Sequence, residues 1–221
     1  GGEKGVSLTC PAVLGLTPDG MIDVIYARKL PNPMDHIGEA RECRRLFDRF
    51  RCHLFAHDYT GAGHIRETVM IQSGLPRERI MPMWYMGHLG SGMMRHIKAT
   101  PQSPRAYYEL DKTQSLQNTC YSIKLGGVRF FKYDHIDAQR PGLLHDFLAL
   151  VEEKSPRAYG SDRHIVHKKP NQCDDFAQAV NMGCCAIWYT VGGFPDFSQA
   201  KGVPAVSPAV VEPLPGQEPY M

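Results

Sequence analysis

Two acidic centres in the 221-residue chain have the residue types that divalent-metal chemistry needs. Asp58 stands in the stretch "CHLFAHDYTGAG", Cys52 to Gly63, and the pair Asp174 and Asp175 opens "DDFAQAVNMGCCAIW". Mg2+ takes hard oxygen ligands, and hydrolysis of a phosphodiester by two metals uses carboxylates that bridge ions about 3.5–4 Å apart. Simpler roles compete at both places. Asp58 has the position of a cap on the turn or helix that follows, and acids at a helix start complement the macrodipole with no metal at all.

Other chemistries find less support. Gly61 and Gly63 suggest a nucleotide loop, but the third glycine of a dinucleotide fingerprint is missing and no phosphate-loop motif occurs anywhere. His53, His57 and His64 do not form a zinc-protease motif, and no nucleophile elbow is present. Cys173 sits beside two acids that oppose a thiolate. The seven cysteines, Cys10, Cys43, Cys52, Cys120, Cys173, Cys184 and Cys185, are scattered without C-x-x-C spacing, which speaks for reduced thiols and against zinc.

The acids need a scaffold, and hydrophobic periodicity supplies one. Leu54, Phe55 and Ala56 read as a buried strand, Thr60 to Gly63 as a turn and 64–73 as a helix, so Asp58 falls at the carboxyl end of a strand. In open α/β sheets ligands and catalytic groups gather at that edge. Upstream, Ile22, Val24 and Tyr26 alternate after the turn "TPDG", which predicts an antiparallel hairpin. Ala40, Cys43, Phe47 and Phe50 follow at helical spacing. "RERIMPMWYM" reads as a strand, and 87–110, rich in Gly, Ser and Pro, as a long surface loop. Leu116, Cys120 and Ile123 predict one helical face, with Gly126 at its C-cap. "VRFFKY" suggests a short edge strand, "LLHDFLALVEEK" an apolar helix with an acidic end, and "SDRHIVHKK" a strand or hairpin arm. The acidic pair then opens a helix with Phe176, Ala179, Val180, Cys184 and Ile187 on its buried side.

Length allows one good-sized domain, read as 1–192, followed by a Pro-rich flexible tail, 193–221. A net charge of +2 gives no global field for nucleic acid, so any such partner must meet local patches. Two offer themselves: Arg95, His96 and Lys98, and Arg163, His167, Lys168 and Lys169. No stretch is apolar and long enough to span a bilayer, and no signal-peptide pattern opens the chain.

The ordered segments "FAHDYTGAG…RET", "RIMPMWYMG", "YYELDKTQSL", "IKLGGVRFF", "LLHDFLALVEEK", "GSDRHIV" and "DDFAQAVNMGCCAIW" together resemble the nuclease domain of phage large terminase subunits, over most of residues 1–190. The resemblance implies an α/β, ribonuclease H-like fold with a mixed central sheet flanked by helices, and a Mg2+- or Mn2+-dependent endonuclease that cuts double-stranded DNA during packaging. Asp58 would be the second acidic motif and Asp174 with Asp175 the third, and these would be the catalytic and metal-binding residues. The first motif of that family, an Asp on a strand ahead of a Gly-rich turn, does not occur in this sequence, which opens with "GGEKGVSLT" inside such a turn. The resemblance further implies an ATPase domain in a longer polypeptide, small terminase and portal proteins as partners, no membrane, and the cytoplasm of a bacterial host. The missing first Asp also leaves room for a non-catalytic DNA-binding or assembly module on the same fold. The acids alone fit another ribonuclease H-like nuclease, a resolvase or transposase.

Overall fold

A computed structural model of the chain describes residues 9–31, 35–90, 92–131, 142–155 and 163–195. The tail expected from 193 therefore lies almost wholly outside the described residues. In chain order the elements are β1 (Ala12–Leu16), β2 (Ile22–Ala27), α1 (His36–Arg49), β3 (Phe55–Asp58), α2 (Gly63–Gln72), β4 (Ile80–Met86), β5 (Met94–Ile97), β6 (Tyr107–Asp111), α3 (Lys112–Lys124), β7 (Val128–Phe130), α4 (His145–Leu148), β8 (Leu150–Ser155), β9 (Arg163–Lys168) and α5 (Asp175–Thr190). No helix among the described residues is long and apolar enough to cross a membrane.

The architecture is mixed α/β, with mixed sheets flanked by helices. β1 and β2 form the expected antiparallel hairpin, closed where Gly20 donates its N–H to the Thr17 carbonyl at 2.9 Å. β7 adds to the outer edge of β2 in parallel, giving the order β1-β2-β7. A second sheet has the order β3-β4-β6-β5, its first three strands parallel and β5 antiparallel. β8 and β9 make a separate antiparallel hairpin.

One helix ties the pieces together. α5 buries Phe176, Val180, Cys184 and Cys185 against Ile22 and Val24 of β2, Met81 and Met83 of β4 and Leu110 of β6 in the main core. Strand alternation explains the division of β4: Met81, Met83 and Tyr85 turn toward this core, while Ile80 joins a second cluster with Ala40, Cys43 and Phe47 of α1, Met70 and Leu75. All seven cysteines are free thiols, and burial pushes the Cys10 and Cys43 thiols up to about 12.

Three expected elements differ. The segment 87–110 is not a loop throughout, since it contains β5 and most of the interior strand β6. Glu109 breaks the apolar run there, and it is tolerated because Arg95 on the neighbouring strand pairs with it. "LLHDFLALVEEK" is not one helix: a single turn, α4, gives way to β8, whose Glu152 and Glu153 pair across the hairpin with His164 and His167. α3 buries Thr113, Ser115, Leu116, Thr119 and Ser122, while Cys120 is exposed. That face is polar because it meets Asn181 of α5 through hydrogen bonds instead of apolar packing.

Candidate functional site

Asp58 is the last residue of β3, and the turn after it is built around its carboxylate. Oδ1 accepts from the Thr60 backbone N–H at 2.8 Å and from its hydroxyl at 2.6 Å, so the capping role is real. Gly61 takes φ +57°, and Gly63 brings the start of α2 so close that a Cβ there would stand 2.7 Å from the Asp58 carbonyl oxygen. The run Asp-x-x-Gly-x-Gly is thus what lets a strand end in an exposed carboxylate and turn at once into a helix.

The strand end is held from beneath. His57 is buried, with Nδ1 3.0 Å from the Asp58 carbonyl oxygen and Nε2 3.3 Å from Glu67 of α2. Arg105 Nε lies 2.7 Å from the other Glu67 oxygen. Burial acts to raise the Glu67 carboxyl, but His57 and Arg105 together outweigh it and hold the group below its usual range.

The second acidic centre is positioned by a residue from elsewhere in the chain. Asp174 stands at the N-cap of α5 but makes no capping bond with its side chain. Its Oδ2 instead accepts from Gln178 Nε2 at 2.7 Å, and its Oδ1 lies 3.6 Å from Lys168 Nζ. The orphan N–H of Phe176 in the first turn is taken by Asp146 of α4 at 2.8 Å. Asp146 Oδ1 is in turn 2.6 Å from Lys29 Nζ, with both side chains almost fully enclosed.

Asp58, Asp174 and Asp175 line one cleft, together with Tyr85, Lys112, His167 and Lys168. Both acidic centres thus face the same large cleft. Tyr85 is one of the residues lining this cleft. Desolvation pushes its phenol well up, a hydrogen bond from Asn181 opposes the rise, and Cys185, then Asp58 and Asp174, add smaller contributions to it. The donors suit Mg2+ or Mn2+ in type, being hard carboxylate oxygens. They do not by themselves complete a site: among the described residues no three His, Cys, Asp or Glu side chains stand close enough together to hold a metal ion.

The two basic patches separate. His167 and Lys168 on β9 reach the cleft, and Lys169 just beyond them donates Nζ to the Leu148 carbonyl at 3.2 Å. Arg163 begins the same strand, at its far end. Arg95 and His96 lie on β5, with Lys98 exposed just past it, and β5 is the far strand of the sheet that β3 begins. Three strand spacings, about 14 Å, lie between them and Asp58. His96 packs on Tyr108, ring centres 4.9 Å apart, and Arg95 is committed to Glu109. Sequence reasoning missed Lys112, which follows Asp111 at the carboxyl end of β6 and sets its Nζ 5.6 Å from the centre of the Tyr85 ring. The signal was there in "YYELDK", a strand-to-helix junction of the same kind as at Asp58. Asp146, Lys29 and Asn181 left no such signal.

No protein-family model, curated protein or solved structure matches the chain.

Proposed function

We propose that the chain is a ribonuclease H-like nuclease module of the terminase type, which hydrolyses phosphodiester bonds of double-stranded DNA with Mg2+ or Mn2+. The observation that carries this reading is the arrival of Asp58 and the Asp174–Asp175 pair, distant in sequence, in one cleft rimmed by Lys112, His167 and Lys168. The carboxylates are the groups that would hold the ions, and bound ions would activate water and stabilise the leaving oxygen. Among the described residues no three such side chains stand close enough to hold an ion, so this reading needs a further carboxylate, which the resemblance would supply as an Asp on a strand that this sequence does not contain. Lys112, His167 and Lys168 would seat the phosphates beside the acids, without reading sequence. On this reading an ATPase domain lies in the same full-length polypeptide, small terminase and portal proteins are partners, and the setting is a bacterial host's cytoplasm.

The incomplete ligand set favours a second reading, a non-catalytic module that grips DNA. Binding and nicking of supercoiled plasmid separate the two. A polypeptide extended to include the expected strand and its Asp should nick plasmid with Mn2+, and Asp58→Asn should abolish the nicking. DNA binding by that polypeptide with no Mn2+-dependent nicking selects the gripping module. Failure to bind DNA in low salt refutes both.

A further inference from the structure

Alternation along the strands gives the four-stranded sheet two unlike faces. Met83, Tyr85, Tyr108 and Leu110 turn toward the main core, and Asp58 lines the cleft. The opposite face carries Trp84 of β4, Tyr107 and Glu109 of β6 and Arg95 of β5. Register aligns them, with Trp84 opposite Glu109 and Glu109 opposite Arg95. Tyr59 donates its N–H to the Met83 carbonyl at 2.7 Å, which carries the ladder one residue past β3 and sets its ring beside Trp84.

Tyr59, Trp84 and Tyr107 make one aromatic patch. Ring centres lie 6.3 Å apart for Tyr59 and Trp84, 6.2 Å for Tyr59 and Tyr107, and 5.9 Å for Trp84 and Tyr107. Trp84 is 40% exposed and the two tyrosines are half-buried. Arginines border the patch on both sides. Arg95 pairs with Glu109 through Nε, yet its side chain is 54% exposed. Arg105, two residues ahead of Tyr107, pairs with Glu67 at 2.7 Å and donates Nη2 to the Ile80 carbonyl at 3.1 Å. Arg77 and Arg79 stand exposed, with Glu78 between them, on the 3-10 turn that leads into β4. These four arginines outnumber Glu67, Glu78 and Glu109, so the border is positive.

The patch selects among ligands. Rings in mutual contact leave no hollow to enclose an ammonium, and a positive border repels one. An apolar peptide fits poorly, because ion pairs instead of aliphatic side chains surround the rings. A duplex keeps its bases stacked inside, out of reach of the rings. An unpaired strand offers base faces to the rings and phosphates to the guanidiniums.

We propose that this face of the sheet is a stacking platform for single-stranded DNA, with bases on Trp84 and Tyr107 and phosphates at Arg77 and Arg95. Tyr59 directly follows Asp58, so the platform ends where the cleft begins. The choice of DNA over RNA rests on the nuclease reading; the platform itself does not.

The test uses the 221-residue chain in EDTA at low salt, with an oligothymidylate of about 15 nucleotides. The chain has two tryptophans, and Trp188 is only 5% exposed, so a ligand on the platform reports through Trp84. The oligonucleotide should quench tryptophan emission saturably, and Trp188→Phe should keep the quench. In fluorescence anisotropy Trp84→Leu should weaken binding about 5- to 150-fold, whereas Trp84→Phe, which keeps a ring, should lose less. Arg77→Gln should make the slope of log affinity against log salt shallower by about 0.7. Thermal unfolding checks that each variant folds; if Trp84→Leu does not, the quench in Trp188→Phe and the slope in Arg77→Gln decide. Absence of quenching overturns the proposal, as does equal loss in the Leu and Phe variants or an unchanged salt slope. So does equal competition by a duplex of the same length, tighter binding of oligouridylate, or binding only after residues 196–221 are deleted. Quenching with no plasmid nicking removes the nuclease and keeps the platform, and nicking with no quenching does the reverse.

Discussion

Replacing Asp146 should damage the protein more than any substitution among the cleft's own acids, because Asp146 joins three elements that set the start of α5. Its Oδ1 lies 2.6 Å from Lys29 Nζ and its Oδ2 accepts from the Phe176 N–H at 2.8 Å. The Lys29 and Asp146 side chains are only 6% and 1% exposed, so water cannot replace either partner. Removing one member of such a buried pair costs about 3–5 kcal/mol, and a buried N–H left without an acceptor costs about 1–3 kcal/mol. Asp146→Ala should therefore lose at least about 3 kcal/mol, a large share of the roughly 5–15 kcal/mol available to a domain. Asp146→Asn keeps an acceptor for Phe176 and should fall between Ala and wild type. Lys29→Met with Asp146→Leu removes both charges and should be more stable than Asp146→Ala alone, as apolar replacements of buried pairs often are. Urea unfolding reads all three as shifts in midpoint at constant slope. A cost below about 1 kcal/mol for Asp146→Ala, or a double variant no better than the single, would refute the account of how α5 is anchored.

Asn181→Ala should cost about 2–4 kcal/mol, because this wholly buried amide donates to Tyr85 and Ser115 at 2.9 and 3.0 Å and accepts from Thr119 at 2.8 Å; thermal unfolding measures it. His167 has its imidazole raised above the usual value by the Lys168 carbonyl oxygen and then by Glu153. It stays charged to higher pH, so on the proposed function DNA affinity should be greatest below about 6.5 and decline as pH rises through the raised value. His167→Gln should flatten that profile in a fluorescence-anisotropy titration, and an unchanged profile would take His167 out of the DNA path.

The acids were legible in the sequence because each stands where a local pattern changes. Asp58 separates an apolar run from a Gly-rich turn, and Asp174 with Asp175 precedes a run of helical period, so the residues next to each acid state where it must lie. β6 was not legible, since Glu109 disguises an interior strand and the arginine that neutralises it comes from β5. The buried face of α3 was read as Leu116, Cys120 and Ile123 because periodicity weighs only apolar residues, whereas Ser115 and Thr119 are buried by hydrogen bonds to Asn181. Strand order was also out of reach. Nothing local in "MRHIK" says that β5 joins the far edge of the sheet, and this alone separates Arg95, His96 and Lys98 from the acids.

Lys168 stands where the two proposed uses of the cleft would oppose each other. Its ammonium lies 3.6 Å from Asp174 Oδ1, so it screens a carboxylate that a cation would need, and it is also placed to meet a phosphate. The lysine side chain is 39% exposed, which puts the pair in the class of partly solvated ion pairs worth about 0.2–1 kcal/mol. Lys168→Ala should therefore strengthen Mn2+ binding by about 1.4- to 5-fold, measured by calorimetry. In the same variant DNA affinity should fall, and the slope of log affinity against log salt should become shallower by about 0.9. The opposite signs are what make the test informative, because disruption of the cleft would weaken both. A variant that loses Mn2+ and DNA together, or keeps the wild-type salt slope, would show that Lys168 supports the fold at Asp174 instead of serving the ligands proposed for the cleft.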